Sequence, residues 1–257
     1  MNFTDKVCVI TGGANGIGRA LVQAFLNAGA LVAFMDTDAE SGARLAAQAP
    51  SRTLFYHGDA AEEAALTGFA WAVLARFSRV DCLIHNACVN RGGLRSGCTW
   101  EDFNYVLRLG VAASYQLTRL FENAFAPGAA IVNISSSRAF QSQADTESYT
   151  AAKGGISALT HALAMSLSGR VRVNTIYPGW IETAAFHGDG TQKAVHTQAD
   201  NLQHPAGRVG TPQDIVDAAM FLLSEEAGFI TGASLTVDGG MTKKMIYHGD
   251  ENWTFAP

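Results

Sequence analysis

Short apolar runs alternate with helix-length stretches along almost the whole chain. The runs are Val7–Ile10, Leu31–Met35, Thr53–Tyr56, Asp81–Ile84, Ala130–Ile134, Val171–Ile176 and Ser234–Val237. They are too short for helices and rich in aliphatic and β-branched residues, which predicts strands. Between them the apolar positions recur with helical spacing near Ile17–Ala28, Ala39–Ala49, Ala61–Phe77, Trp100–Arg108, Val111–Phe125, Glu147–Leu167 and Pro212–Leu223. Strands that are apolar at consecutive positions are buried on both faces. Alternating with helices, they predict an α/β, Rossmann-like, doubly wound parallel sheet of about seven strands, with helices on both sides.

No linker, repeat or low-complexity segment interrupts this rhythm, so residues 1–257 read as a single domain. Two segments are weakly patterned. Glu182–Arg208, with His187, His196, His204, Gly188 and Gly190, reads either as a surface loop or as a lid over a substrate site. The tail from Lys243 to Pro257 has no clear period.

Composition narrows the function. Hydrophobic residues are 48% and charged residues 16% of the 257, enough apolar material for a large core. A net charge of −5 offers no basic surface for nucleic acid. The longest uncharged stretches, such as Ala20–Met35, contain Gln23, Asn27 and Gly29 and fall short of the roughly 18–20 apolar residues that cross a bilayer. The first residues, Met-Asn-Phe-Thr-Asp-Lys, run straight into a strand with no signal-peptide pattern. A cytoplasmic protein without membrane or nucleic-acid partners is therefore expected. The four cysteines, Cys8, Cys82, Cys88 and Cys98, form no Cys-x-x-Cys, and no histidines are spaced as paired ligands, so no metal site is expected.

Thr11-Gly12-Gly13-Ala14-Asn15-Gly16-Ile17-Gly18 joins the first strand to the first helix. Glycines there allow a sharp turn and close approach of a pyrophosphate to the free N–H groups of the helix. Asp36 ends the second strand, where a carboxylate can accept hydrogen bonds from both ribose hydroxyls of an adenosine and would repel a 2′-phosphate. Tyr149 and Lys153 are four apart at the start of a long helix and share a face. A phenol is a poor base at neutral pH, and a neighbouring ammonium favours its anion. Ser136, just past the fifth strand, can offer a hydroxyl to a substrate oxygen. Beside a dinucleotide turn, this set suggests proton transfer coupled to hydride transfer.

Together these residues resemble the single-domain branch of the short-chain dehydrogenase/reductase family over nearly the whole chain. Thr11 to Gly18 is similar to its Thr-Gly-x-x-x-Gly-x-Gly turn, and His85-Asn86-Ala87-Cys88 to its Asn-Asn-Ala-Gly segment. Pro178-Gly179-Trp180-Ile181-Glu182-Thr183 is similar to its Pro-Gly-x-x-x-Thr segment, and Val237-Asp238-Gly239-Gly240 to its last strand end. The resemblance implies that Tyr149 is the acid/base, that Lys153 lowers its pKa and holds the nicotinamide ribose, and that Ser136 orients the substrate. It implies cofactor contacts from Gly12, Asn15, Gly16, Ile17, Gly18, Asp36, Asp59 with Ala60, Asn86, Ala87, Tyr149, Lys153, Pro178, Gly179, Ile181 and Thr183.

Asp36 points to NAD rather than NADP, and Asn15 in place of Arg or Lys agrees. Gly110 stands where the family carries an Asn that completes a proton relay. That Asn is understood to act through its backbone carbonyl, which glycine keeps, and glycine permits a local helical kink. Cys88 replaces a usual glycine and reads as a size change.

The expected activity is an NAD-dependent interconversion of a small polar secondary alcohol, a polyol or hydroxy acid, and its carbonyl. A non-catalytic NAD-binding sensor or scaffold is the alternative. Arg138, Gln143 and Trp180 are expected at the substrate with Ser136, and Asn90, Arg91, Asp145 and His187 around it. Arg138 either holds a substrate anion or pairs with Asp145 and Glu147. A homotetramer or homodimer is implied, with Ala151, Ala152, Gly154 and Gly155 permitting close helix packing.

Overall fold

Strand β1 (Val7–Thr11) is buried at every position, as its unbroken apolar run requires. It leads through the glycine turn into α1 (Gly16–Asn27). There follow β2 (Leu31–Asp36), α2 (Ala39–Ala46), β3 (Thr53–His57), α3 (Glu63–Phe77), β4 (Val80–His85), α4 (Trp100–Leu107) and α5 (Ala113–Phe121). The second half runs β5 (Phe125–Ile134), α6 (Glu147–Ser166), β6 (Arg172–Pro178), α7 (Gln198–Leu202), α8 (Pro212–Leu223) and β7 (Ser234–Val237). These elements belong to a computed structural model that describes residues 1–247, 249 and 250; part of the weakly patterned tail therefore lies outside the described residues.

The seven strands form one parallel sheet in the order β3-β2-β1-β4-β5-β6-β7. Alternate strand residues feed two separate cores. Cys8, Ile10, Val32, Phe34, Ile84 and Val132 pack under α1, α2 and α8. Val7, Val9, Ala33, Met35, Leu83 and Ile131 pack under α3, α5 and α6. At roughly 1.5–3 kcal/mol per fully buried aliphatic or aromatic side chain, these two layers supply most of the drive to fold. No helix among the described residues is long and apolar enough to cross a membrane.

The order reverses at β1, which lies between β2 and β4. In an open parallel sheet such a reversal leaves a crevice beyond the carboxyl ends of the strands, where ligands bind.

Two boundaries differ from the sequence reading. Helix α5 stops at Phe121, and Phe125 begins β5 rather than closing a helix. Pro127-Gly128 lies between the helix expected to end at Phe125 and the strand expected to start at Ala130. The strand carries it instead as an irregularity, with Phe125 paired to Val80, Gly128 at φ +79° and a register shift between Val80 and Cys82. Two of the small residues of α6 meet neighbours within the subunit. The position of a Cβ on Gly155 lies 2.9 Å from Val111, and that of one on Gly110 lies 3.0 Å from Ala152. Ala152 and Gly155 therefore serve close packing within the subunit.

His85, at the end of β4, is 3% exposed and has lost its hydration. Burial pushes its pKa down to about 3. Its Nε2 meets Thr118 Oγ1 at 3.4 Å, while Nδ1 has no partner. Because the folded state holds the ring neutral and the unfolded state does not, stability present above the ordinary imidazole range falls as pH drops. Between that range and pH 5 the loss should be about 2 kcal/mol. Urea unfolding at pH 7 and pH 5 should show it, and His85→Gln should flatten the difference; an unchanged pH slope in that variant would exclude His85 as the cause.

Candidate active site

Two cavities open at the carboxyl ends of the strands. The first, about 300 Å³, lies at the sheet reversal and is lined by Gly12, Asn15, Gly16, Ile17, Asp36, Asp59, Ala60, Asn86, Ala87 and Thr183. The glycine turn is shaped by contact. Gly12 adopts φ +66°, and a Cβ on Gly18 would fall 1.8 Å from the Gly12 carbonyl oxygen. Only glycine fits there, because no side chain can occupy backbone space. Asn86 latches the turn to β4: its Nδ2 donates to Thr11 O at 3.2 Å and Gly12 O at 2.9 Å.

Asp36 Oδ2 accepts from Ala14 N at 2.9 Å, and Oδ1 accepts from Asp38 N at 3.0 Å. Asp38 in turn accepts from Asn15 Nδ2 at 2.9 Å and from Ser41 N. These hydrogen bonds hold the Asp38 carboxyl below the usual carboxylate range. Asn15 Oδ1 is buried without a partner. A preformed turn, a helix start whose first N–H groups have no partner within the helix, two carboxylates at the β2 and β3 ends and an orphaned amide oxygen fit a nicotinamide dinucleotide.

The second cavity, about 780 Å³, is polar. Ser136, Arg138, Gln143, Tyr149 and Trp180 line it, and so do Gly179 and Ile181, which sequence reading placed at the cofactor. Asn90, Ser137, Gln141, Ser142, Asp200, Gln203 and Met241 complete the wall. Lys153 sits behind Tyr149, 4% exposed, with Nζ 5.3 Å from the centre of the Tyr149 ring and donating to Ile134 O at 2.7 Å. Burial pulls its pKa down, but Cys88 and Tyr149 outweigh burial and the balance lies above the ordinary lysine range. Lys153 is thus a cation held beside the phenol. Ser136 is buried, and its Oγ accepts from Arg138 N at 3.2 Å.

Gly110 falls within a π-helical turn, Arg108–Ala112, so the expected departure from α geometry is present. Its Cβ position lies 3.0 Å from Ala152 and 3.4 Å from Cys88 Sγ, so a side chain there would have to press its neighbours aside by a few tenths of an ångström. Pro178, expected at the cofactor, closes β6 buried and lines neither cavity.

Three expected pocket residues sit elsewhere. Arg91 bonds Asp102 at 3.0 Å and lies 4.3 Å over the Tyr105 ring. Asp145 Oδ1 accepts the backbone N–H groups of Arg95 and Ser96, which fixes a loop and leaves Arg138 without it. His187 lines the smaller cavity, not the larger.

Tyr105 was not foreseen. Its hydroxyl donates to Asp59 Oδ2 at 2.9 Å across 46 positions, a contact with no local sequence signal. The stretch 182–208 borders both cavities: Thr183 and His187 reach the smaller, and Asp200 and Gln203 on or beside α7 reach the larger.

Comparison with known proteins decides the family. A family model described as enoyl-(acyl carrier protein) reductase matches residues 12–242. The chain belongs to the short-chain dehydrogenase/reductase family. It is 41% identical over 250 residues to an uncharacterized oxidoreductase of Thermotoga maritima, covering 94% of this chain and 98% of that one. It is 37% identical to L-fucose dehydrogenase of Mus musculus, with coverage of 93% and 89%, and 34% identical to D-threitol dehydrogenase of Mycolicibacterium smegmatis, with coverage of 93% and 94%.

Among solved structures, an apo SCOR enzyme from Clostridium thermocellum superposes with a TM-score of 0.89 at 42% identity, covering 98% of this chain and 99% of that one. A blue fluorescent protein from a metagenomic library, in complex with NADPH, reaches 0.84 at 27% identity, with coverage of 94% and 99%. A 3-ketoacyl-(acyl-carrier-protein) reductase from Brucella melitensis, complexed with NADH, reaches 0.81 at 29% identity, with coverage of 93% and 99%.

Proposed function

We propose that this short-chain dehydrogenase/reductase is an NAD-dependent dehydrogenase that interconverts a secondary alcohol of a small polyol, sugar or hydroxy acid with its carbonyl. The observation that carries the reading is a polar cavity lined by Ser136 and Tyr149, with the buried Lys153 cation beside the Tyr149 ring, and a second cavity at the same strand ends bordered by Asp36. Bound NAD would accept or return the hydride.

Tyr149 takes the hydroxyl proton during oxidation and returns it during reduction. The buried Lys153 cation stabilises the phenolate form, and Ser136 Oγ, presented toward the larger cavity, holds the substrate oxygen. The π-helical turn at Gly110 offers a backbone route for the proton beyond Lys153. Gly12, Asn15, Gly16, Ile17 and Gly18 would hold the pyrophosphate, Asp36 the adenosine ribose, and Asp59 with Ala60 the adenine side. Thr183 would reach the pyrophosphate on its nicotinamide side.

The larger cavity supports a hydroxylated substrate. Asn90, Gln141, Ser142, Gln143, Asp200 and Gln203 present amides, a hydroxyl and a carboxylate where a long acyl chain would need apolar wall. The sugar and polyol activities in the names of two relatives agree. Self-association into a homodimer or homotetramer belongs to the same reading: Trp100, Tyr115, Phe221 and Phe229 are exposed apolar side chains of the kind such contacts cover.

The test is NAD reduction over a panel of polyols, free sugars and hydroxy acids, with 3-ketoacyl thioesters as the contrasting class. Saturable turnover of a hydroxylated compound is expected. Tight NAD binding without turnover of any of them would favour the sensor alternative.

Arg138 refines the substrate. Its guanidinium bonds the Gln143 side-chain oxygen and lies 5.8 Å from the Tyr149 ring centre, with no acidic partner among the described residues. Facing the cavity, it suits a carboxylate a few atoms from the reacting carbon. Arg138→Ala should raise KM for acidic substrates by about tenfold, about 1.4 kcal/mol, and spare neutral polyols. Equal losses on both classes would remove the anion role.

A further inference from the structure

We propose that His187 binds the cofactor's pyrophosphate, and that Arg19 and Arg44 hold the loop that presents it. The proposal rests on the reading above that the smaller cavity takes NAD, and it adds a ligand from outside the glycine turn.

The chain leaves β6 at Pro178, passes Thr183 and makes a tight turn, Ala184–Phe186, that brings His187 back over the start of α1. The imidazole Nε2 stands 3.7 Å from the position of a Cβ on Gly16, the first residue of that helix. His187 and Gly16 line the same cavity. The ring therefore caps the place where the first N–H groups of α1 have no partner within the helix, and where a pyrophosphate gains most from them. The structure gives Nε2 one partner, the Thr183 hydroxyl at 3.2 Å, and a hydroxyl can rotate to share a phosphate oxygen with it.

The loop is gripped from two helices. Arg19 of α1 and Arg44 of α2 both donate to the carbonyl of Gly188, each at 3.0 Å. Two guanidinium groups on one carbonyl are more than a surface loop needs, and the residue they fix is adjacent to His187.

The charged groups around the ring leave it free for an anion. Asp189 is occupied by Thr191 N and Oγ1, and Asp36 and Asp38 are engaged by the glycine turn and α2. Arg44 is shared with Glu40 and Ser41. Asp59 is taken by Ala61 N and Tyr105. A diphosphate is the ligand chemistry that fits between His187, Thr183 and the helix start.

The experiment measures binding rather than turnover. Titrate the intact protein and its His187→Ala and His187→Gln variants with NAD and ADP-ribose by calorimetry, and with adenosine by ligand-observed NMR. His187→Ala should weaken NAD and ADP-ribose by about tenfold and leave adenosine within about twofold, and His187→Gln, which can still donate, should recover part of the loss. An ADP-ribose affinity unchanged in His187→Ala, or an equal loss on adenosine, would overturn the role of His187. If the unmodified protein binds neither NAD nor ADP-ribose, the cofactor reading itself fails and the proposal fails with it.

Discussion

Tyr149→Phe should lower turnover by about a thousandfold or more, about 4 kcal/mol of barrier, while NAD affinity stays within about twofold. The substitution removes one oxygen and one proton and leaves the ring in place. Tyr149 lines the polar cavity and does not line the one formed by the glycine turn and Asp36, so the contacts made there are untouched.

Lys153→Met should behave differently. Lys153 donates to Ile134 O at 2.7 Å and is buried among Cys88 and Tyr149, so its loss removes a cation beside the phenol and leaves a carbonyl without its donor. Both turnover and NAD affinity should fall. Steady-state rates with a responsive alcohol, set beside calorimetric NAD binding, separate the two. Substantial turnover by the Phe variant would rule out Tyr149 as the proton donor and acceptor.

The sheet was legible because its strands are buried on both faces, which writes each as a contiguous apolar run. Val7–Ile10 and Asp81–Ile84 announce themselves, whereas the pairing of β1 with β4, where the order reverses, is set by packing and was not written in the alternation. The first half of β5 was not legible. Phe125-Ala126-Pro127-Gly128 carries two turn residues, and only its pairing with β4 makes it a strand.

The site divides in the same way. The glycine turn and the Tyr149/Lys153 pair are local patterns whose geometry is set by the helix that carries them. Arg91, Asp145 and His187 depend on partners elsewhere: Asp102 and Tyr105 for the first, the Arg95–Ser96 backbone for the second, Thr183 and the α1 start for the third. A loop residue has no period to reveal which of two adjacent cavities it faces. Arg138 was visible as a charge near Ser136, but its neutral partner, Gln143, emerges only when the loop is folded.

Cofactor choice should follow Asp36. NAD is expected to bind at least about a hundredfold more tightly than NADP, about 2.7 kcal/mol. The carboxylate sits at the β2 end of the cavity with its two oxygens oriented by Ala14 N and Asp38 N. Each oxygen retains a further lone pair for a ribose hydroxyl. A 2′-phosphate would instead bring like charge within a few ångströms, which at an intermediate effective dielectric is worth several kcal/mol before screening. Among the described residues lining this cavity no Lys or Arg compensates: Asn15 occupies the glycine-turn position, and nearby Arg44 is engaged by Glu40, Ser41 and Gly188. Asp36→Ala should therefore narrow the ratio from both ends. NAD weakens as its ribose contacts are lost, NADP strengthens as the repulsion goes, and the preference should shrink to within about tenfold. Because Asp36 also braces the turn through Ala14, Asp36→Asn serves as the control: it keeps an acceptor for that backbone while removing the charge. Equal affinities of the unmodified protein for NAD and NADP, or an unchanged ratio in both variants, would take the selection away from Asp36.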